Sequence, residues 1–336
     1  MVNRPTIIDV AKIAGVSKTT VSRVINDDVR KVSDETVKRV RQAIEELGYQ
    51  HNSIASSLRT DRTNIIMLMI PDITNPFWPE VARGIQDRMD EAGYSVVFAN
   101  LDWNHAREQD FLKIAMQTRV DGILINPIHV SEKQIITTQI PSVVLGIRPG
   151  FNTLDMVGSD SPAAMREALA YLVRLGHERI ALLLGSSETG SSHSRKNNFL
   201  NFFAERDLPV QSEFVVNVRF DNHGGEEGMT QLLQMPEKPT AVIASNDLIA
   251  LGALQVANSM GYQVPKDISI MGIDDIYAAS LSIPALSTVR KDKYQIGKIA
   301  ANYLIQRMTA AVEQGKQQIS KVPCQLVVRG STTRPA

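Results

Sequence analysis

The chain has 336 residues, more than one ordinary domain holds, and 43% apolar content, enough to bury a sizeable core. Basic and acidic residues balance at 36 each, so overall charge points to no partner; residues 1–62, however, hold eleven Lys or Arg against eight Asp or Glu, and that mildly basic head fits either plain charge scatter or a polyanion partner. The single cysteine, Cys324, excludes an internal disulfide and fits a reducing compartment, no apolar run reaches membrane-spanning length, and no charged-then-apolar signal pattern opens the chain, so the expectation is a soluble cytoplasmic protein.

Residues 1–50 read as helices without strands. Thr6, with Asp9 three residues on, caps a first helix with Val10, Ile13 and Ala14 as its apolar stripe, and Gly15 stops it. Ser17 caps a second helix with Val21, Val24 and Ile25 inward. Ser33 caps a third, SDETVKRVRQAIEELG, in which Val37, Val40, Ile44 and Leu47 recur at helical spacing before Gly48. Two helices around a Gly-containing turn, with a third packed on them, form the helix-turn-helix layout. In that layout the second helix offers its N-terminal residues to the major groove. Lys18 and Arg23 can donate to guanine O6 and N7, and Thr19 can reach a base edge or a thymine methyl. Thr6, Thr20, Ser22 and Asn26 suit phosphate contacts, and Ser17 joins them on this face. The alternative is a solvated face on a small helical bundle; the small-residue turn AGVS and the polar run after it favour DNA.

Residues 51–62, HNSIASSLRTDR, are polar, with Ile54, Ala55 and Leu58 as the sizeable apolar spots. Asn52 can cap a helix of one or two turns, which alone in water is marginal because nucleation is costly, so it is expected to fold conditionally. Leu58, with Ala55 one turn before it, suits a wedge in a minor-groove step, or else packs within a linker. Arg59 and Arg62 suit phosphate contacts or plain solubility.

From residue 64 the pattern alternates strand and helix. NIIMLMI, YSVVFAN, VDGILIN, SVVLGI, RIALLLG, FVVNV, TAVIASN and ISIMGID are apolar runs of strand length. Amphipathic stretches lie between them, including 78–93, 106–118, 162–175 and 247–261. Continuous apolar strands separated by helices imply parallel sheets covered on both faces, and nine or ten such units exceed one compact sheet, so two α/β subdomains are expected.

These stretches, TIIDVAKIAGVSKTTVSRVIN, VSDETVKRVRQAIEELGYQHNSIASSLRT, IPDITNPFW, ASNDLIALGAL and MGIDDIYAASLSIPALSTVRKD, together with the terminal RGSTTRP, closely resemble the lactose-repressor/galactose-repressor (LacI/GalR) family over essentially the whole chain. The resemblance implies an all-α helix-turn-helix headpiece (1–50), a hinge helix or linker (51–62) and an effector-binding and dimerisation core (63–336). That core is of the α/β periplasmic-binding-protein type, with two doubly wound parallel-sheet subdomains. The N-subdomain covers about 63–161 plus 292–322, and the C-subdomain about 162–291 plus 323–336. It implies a homodimeric regulator, most often a repressor of carbohydrate-use genes, on near-palindromic double-stranded operator DNA, associated with the nucleoid when bound. On the DNA side it adds Asn52, Ala55 and Leu58 at the hinge. Its effector, a small sugar or sugar acid, lies in the cleft between subdomains. Matching positions are Asp72, Asn75, Phe77 and Trp78 after the first strand, Ser191 in GSSETGSSHSR, Arg195, Phe220, Asn246, Asp247 and Asp274. Aromatic rings suit apolar sugar faces, and carboxylates and amides at strand ends suit hydroxyls, though each is as readily a packing ring or a helix cap. Asn198 stands where the family pattern has Gly, which weakens the match around Arg195. The Gly/Ser-rich stretch reads as a cleft loop.

No cofactor and no metal are expected: the six histidines (51, 105, 129, 177, 193 and 223) lack ligand spacing, and His177 reads as structural. The rivals are a sugar-binding transport protein, a sugar-acting enzyme and a regulator answering to a co-repressor or protein partner. The headpiece argues against the first. Against the second stands the lack of nucleophile–base spacing, metal cluster or G-x-G-x-x-G.

Overall fold

The computed structural model describes residues 5–25, 28–49, 62–185, 190–208 (side chains from 194), 211–310 and 316–335. The chain divides into two compact units, residues 1–63 and 64–336.

The first unit is built from α1 (Ile7–Ala14), α2 (Lys18–Ile25) and α3 (Asp34–Leu47). The Asp9 carboxylate accepts both the N–H and the hydroxyl of Thr6, at 2.8 and 2.7 Å, which satisfies donors that the start of α1 leaves open. Gly15 adopts φ 64°, a left-handed conformation that costs a glycine little, and so turns the chain from α1 toward α2. Ser17 Oγ accepts the Thr20 N–H at 3.1 Å, and Ser33 Oγ that of Thr36 at 3.4 Å. Val10, Ala11, Ala14, Val21, Val24, Val40 and Ala43 form the core. Ile13 is a correction: it is 49% exposed, and Ala11 takes its place inside. At 100° per residue Val10 and Ala14 lie between Ala11 on one flank and Ile13 on the other, and packing against α2 and α3 buries the Ala11 flank.

The second unit contains two six-stranded sheets. The first is formed by β1 (Ile65–Ile70), β2 (Ser95–Asn100), β3 (Gly122–Ile125), β4 (Ser142–Leu145), β5 (Asp155–Ser159) and β11 (Ile319–Val322), in the order β11-β5-β4-β3-β1-β2. The second is formed by β6 (Ile180–Gly185), β7 (Val215–Val218), β8 (Ala241–Ala244), β9 (Ser269–Asp274), β10 (Ser287–Lys291) and β12 (Cys324–Val327), in the order β12-β10-β9-β8-β6-β7. All neighbours run parallel except β12 against β10.

Burial on both faces explains the unbroken apolar runs. In β1, Ile66, Leu68 and Ile70 meet α4 (Phe77–Glu91) and α12 (Lys293–Met308), whereas Met67 and Met69 face α5 (His105–Thr118) and α6 (Glu132–Thr137). In β6, Ala181 and Leu183 face α9 (Asn222–Leu233) and α10 (Asp247–Ser259). Ile180, Leu182 and Leu184 face α7 (Ser161–Arg174) and α8 (Gly190–Ala204). A short helix, α11 (Tyr277–Leu281), precedes β10. The chain passes between the sheets three times: from β5 into α7, from β10 into α12, and from β11 to β12. The strands β5, β10 and β11 are not among the apolar runs read from the sequence, because DMVGS, STVRK and ISKV are short and carry Asp, Arg or Lys. α9 holds three glycines, which hide its helical signal.

Each sheet carries one helix pair packed backbone to backbone. A Cβ on Gly84 would overlap the carbonyl oxygen of Tyr294, and one on Gly297 that of Val81, where α4 crosses α12. Gly225 meets the Ile249 carbonyl and Gly252 that of Asn222 in the same way, where α9 crosses α10. Gly297→Ala or Gly252→Ala must therefore push two helices apart, and each is expected to cost about 1–3 kcal/mol. The measurement is urea unfolding of the full chain; a midpoint unmoved by both substitutions would refute the close crossing.

Candidate functional site

A cavity of about 140 Å³ opens where the carboxyl ends of the two sheets face each other. Its wall is made by residues just past strand ends: Asn75 after β1, Trp103 after β2, Asn126 after β3, Arg148 after β4, Ser159 and Ser161 around the end of β5, Phe220 after β7, Asp274 ending β9 and Lys291 ending β10, with Arg195 from α8. In open parallel sheets, ligands collect at such ends because the loops converge there.

Of the residues expected from the sequence, Asn75, Phe77, Trp78, Arg195, Phe220 and Asp274 line this cavity. Asp72, Asn246 and Asp247 do not. Asp72 accepts the N–H and hydroxyl of Thr74, at 2.8 and 2.7 Å. Asn246 caps α10 by accepting the Ile249 N–H at 2.9 Å. Asp247 is buried beneath the cavity, accepting the Ile276 N–H at 2.8 Å and the Thr288 hydroxyl at 2.6 Å. The stretch expected as a cleft loop is corrected in part: α8 starts at Gly190, so Ser191 stands in its first turn and Ser194 just after it. The side chain of Ser191 lies outside the described residues. Trp103, Asn126, Arg148, Ser159, Ser161 and Lys291 were not foreseen. Each stands in or just past a strand end, so the strand-end rule that selected Asn75 and Asp274 was the available signal.

Aromatic rings make up much of the wall. Phe77 and Trp78 meet edge to face, with centroids 5.0 Å apart at 87°. Trp103, from the first sheet's loops, touches Phe220, from the second sheet's loops, at 5.5 Å. The Arg195 guanidinium stacks over Phe220 at 5.3 Å, and Lys291 Nζ stands 5.6 Å from the Phe77 ring centre.

The polar part is centred on Asp274. Its carboxylate pairs with Lys291 at 2.9 Å, both side chains nearly fully buried. Asp274 and Asp275 take φ of 121° and 55°, which a non-glycine residue adopts only at a cost. The surroundings hold them there: Lys293 Nζ donates to their carbonyls at 2.8 and 3.0 Å, and Arg290 and Arg329 each reach the Asp275 carboxylate at 2.6 Å. On the opposite wall Asn126 donates to the Leu145 carbonyl at 2.5 Å and accepts from Arg148 at 3.3 Å. The loop following Asn126 is fixed by buried Glu108, whose carboxylate accepts the N–H groups of Ile128, His129 and Val130 at 2.7, 2.8 and 3.0 Å. Burial, then the charge of Arg195, pushes Arg148 down to about 10, and burial lowers Arg195 against the pull of Asp274. His177 is buried away from the cavity, between the Thr240 hydroxyl (2.9 Å) and the Thr333 carbonyl (2.8 Å), and burial lowers its pKa, as a structural role requires.

In the helical unit Thr6, Ser17, Lys18, Thr19 and Arg23 are exposed, and Thr20 and Ser22 are half-buried. Ser17 and Thr20 also bond each other, hydroxyl to hydroxyl at 2.9 Å, which fixes the first turn of α2. Asn26, Asn52, Ala55 and Leu58 lie outside the described residues.

Burial, with the neighbouring Asp274 charge, pushes the Asp247 carboxyl up to about 7. An acid whose pKa rises on folding binds its proton more tightly in the folded chain. Its stabilising contribution is complete below the unfolded value near 3.8 and is lost as pH climbs through about 7. Asp247→Asn is therefore expected to flatten the fall in stability between those values, read from urea midpoints across pH; an unchanged slope would place the ionisation elsewhere.

Residues 6–52 match the bacterial regulatory proteins of the lacI family, and residues 169–332 match the periplasmic binding protein-like domain. The HTH-type transcriptional regulator DegA of Bacillus subtilis (strain 168) is 34% identical, over 98% of this chain and 98% of that protein. The ribose operon repressor of Escherichia coli (strain K12) is 35% identical, over 97% and 99% respectively. The lac repressor dimer, solved bound to operator and the anti-inducer ONPF, superposes with a TM-score of 0.87 at 26% identity, covering 98% of this chain and all of that one. A chain with a helix-turn-helix unit followed by two mostly parallel sheets around a cleft, matched over 98% of its length, belongs to the lacI family of DNA-binding transcriptional regulators.

Proposed function

We propose that the chain is a cytoplasmic, homodimeric repressor of carbohydrate-use genes whose operator affinity is set by a small sugar-like effector in the cleft. The observation that carries this reading is the cleft wall itself, aromatic rings beside polar groups at the ends of both sheets. Rings cover apolar sugar faces while Asp274, Asn75 and Asn126 answer hydroxyls. The relation to a ribose operon repressor supports a carbohydrate effector, and the likeness to a lac repressor dimer on operator supports two half-sites read by two copies.

In this proposal Lys18, Thr19 and Arg23 reach base edges, while Thr6, Ser17, Thr20, Ser22 and Asn26 position the helix on phosphates. Asn52, Ala55 and Leu58 serve the segment that follows, with Leu58 entering the minor groove. Binding at the cleft shifts the balance between DNA-competent and incompetent arrangements, a coupling of about 1–3 kcal/mol for typical allosteric sites.

Two exposed apolar patches suit the mutual face of the dimer. One is Val97 and Phe98 on β2, an edge strand of the first sheet; the other is Tyr277, Leu281 and Ile283 beside the second. Ile283 is 87% and Tyr277 76% exposed, which a second copy would cover.

Operator binding is tested by fluorescence anisotropy of labelled duplex from the region upstream of the chain's own gene, at fixed salt. Arg23→Ala is expected to weaken binding by about 1–3 kcal/mol and relax sequence preference at one position; unchanged affinity would remove α2 from the groove. A compound that lowers affinity is an inducer, and one that raises it is a co-repressor. Ile283→Asp is expected to halve the mass in sedimentation and weaken operator binding, since half-sites are then bound singly. A dimer that persists would place the interface elsewhere.

A further inference from the structure

We infer that the effector carries an anionic group, a carboxylate or phosphate on a sugar-like frame, seated between Arg148 and Arg195. This deepens the cleft reading above and rests on it. Among the described residues, the cavity wall holds three cations, Arg148, Arg195 and Lys291, against one carboxylate, Asp274. Lys291 and Asp274 satisfy each other at 2.9 Å. That leaves two guanidinium groups facing one space, and neither is within ion-pair distance of a carboxylate among the described residues. Among the described residues, the Arg148 side chain reaches the Asn126 amide oxygen at 3.3 Å, and Arg195 the Phe220 ring face. Glu108 is held by three backbone N–H groups and attracts Arg148 from beyond ion-pair distance.

A neutral sugar cannot offset this charge. Two like charges facing one cavity repel each other, and an anion seated between them removes that repulsion. Burial first and the charge of Arg195 second lower the pKa of Arg148, while Glu108 pulls the other way. An anion between the two forks gains charge-assisted hydrogen bonds from both, and a planar carboxylate or a phosphate matches guanidinium geometry. The hydroxyls of Ser159 and Ser161, 3.2 Å apart on the same wall, can donate to it as well. The four rings Phe77, Trp78, Trp103 and Phe220 then enclose the carbon frame.

The chain reports its own occupancy, because both of its tryptophans, Trp78 and Trp103, line the cavity. The experiment titrates the full-length protein, at constant ionic strength, with glucose, gluconate and glucose 6-phosphate, and with ribose and ribose 5-phosphate. Tryptophan emission and Tm are followed in wild type, Arg148→Met, Arg148→Lys and Arg195→Met. The expected result is that a charged probe binds and its neutral parent does not. Arg148→Met weakens that probe about tenfold or more. Arg148→Lys retains part of the affinity, since it keeps the charge and loses the fork. The ligand-free Tm of each variant, held against wild type, tells loss of binding apart from loss of fold. Binding of gluconate alone assigns a sugar acid, and of a phosphate ester alone a sugar phosphate. Neutral sugars binding as tightly as charged ones, no charged probe binding, or charged-probe affinity unchanged in both Met variants would each overturn the inference. Operator anisotropy separates the two layers. A charged probe that binds without altering operator affinity sinks the regulatory reading and leaves the anion site standing.

Discussion

The buried ion pair of Asp274 with Lys291 sits where the second sheet hands the chain to the first. The two residues end neighbouring strands, β9 and β10, and two residues later Lys293 opens α12, which packs on the first sheet. Lys293 grips the carbonyls of Asp274 and Asp275 and comes within 3.4 Å of Glu80 on α4. One carboxylate at the cavity wall is therefore bonded into a crossover on which the mutual placement of the sheets depends. Removing one partner of such a pair strands the other charge in the interior, a loss of about 3–5 kcal/mol. Cavity wall and crossover share the same residues, so a change at the wall can bear directly on the joint between the sheets.

The two sheets are variations on one construction. Each has alternate strand residues feeding two helical layers, and each has one helix pair brought to backbone contact by glycines, Gly84 with Gly297 and Gly225 with Gly252. Rigid halves with few joints let a change at the cleft move whole sheets rather than dissipate in side chains. The terminal RGSTT segment belongs to this scaffold. Arg329 reaches Asp275, Ser331 bonds the backbone of β9 and β10, and Thr333 accepts from His177.

The helical unit depends on local devices instead. Its cap hydrogen bonds join residues three apart, α1 and α3 stop at glycines with positive φ, and its core is a handful of small aliphatic residues. Small cores of this type leave the polar face of α2 free of packing duties, so Lys18, Thr19 and Arg23 remain available to a partner.

The sequence by itself determined whatever rests on local periodicity and caps. Thr6, Ser17 and Ser33 start helices and Gly15 and Gly48 end them, and runs such as IIMLMI and IALLLG become strands because a strand buried on both faces must be apolar throughout. The family pattern carried Asn75, Phe77, Trp78, Arg195, Phe220 and Asp274 to the cavity. Tertiary structure decided the rest. Ile13 yields its core place to Ala11 because three-dimensional facing, and not hydrophobicity alone, selects the buried stripe. Asp247 belongs beneath the cavity rather than in its wall, since its oxygens are taken by Ile276 and Thr288, residues 29 and 41 positions away. Arg148 and Lys291 stand in ordinary polar stretches, IRPG and VRKD. Only convergence of strand ends far apart in the chain puts two guanidinium groups, a lysine and an aspartate around one cavity. Charge that is scattered and solvated along the chain becomes concentrated and desolvated in the fold, and the chemistry of the cleft follows from that step.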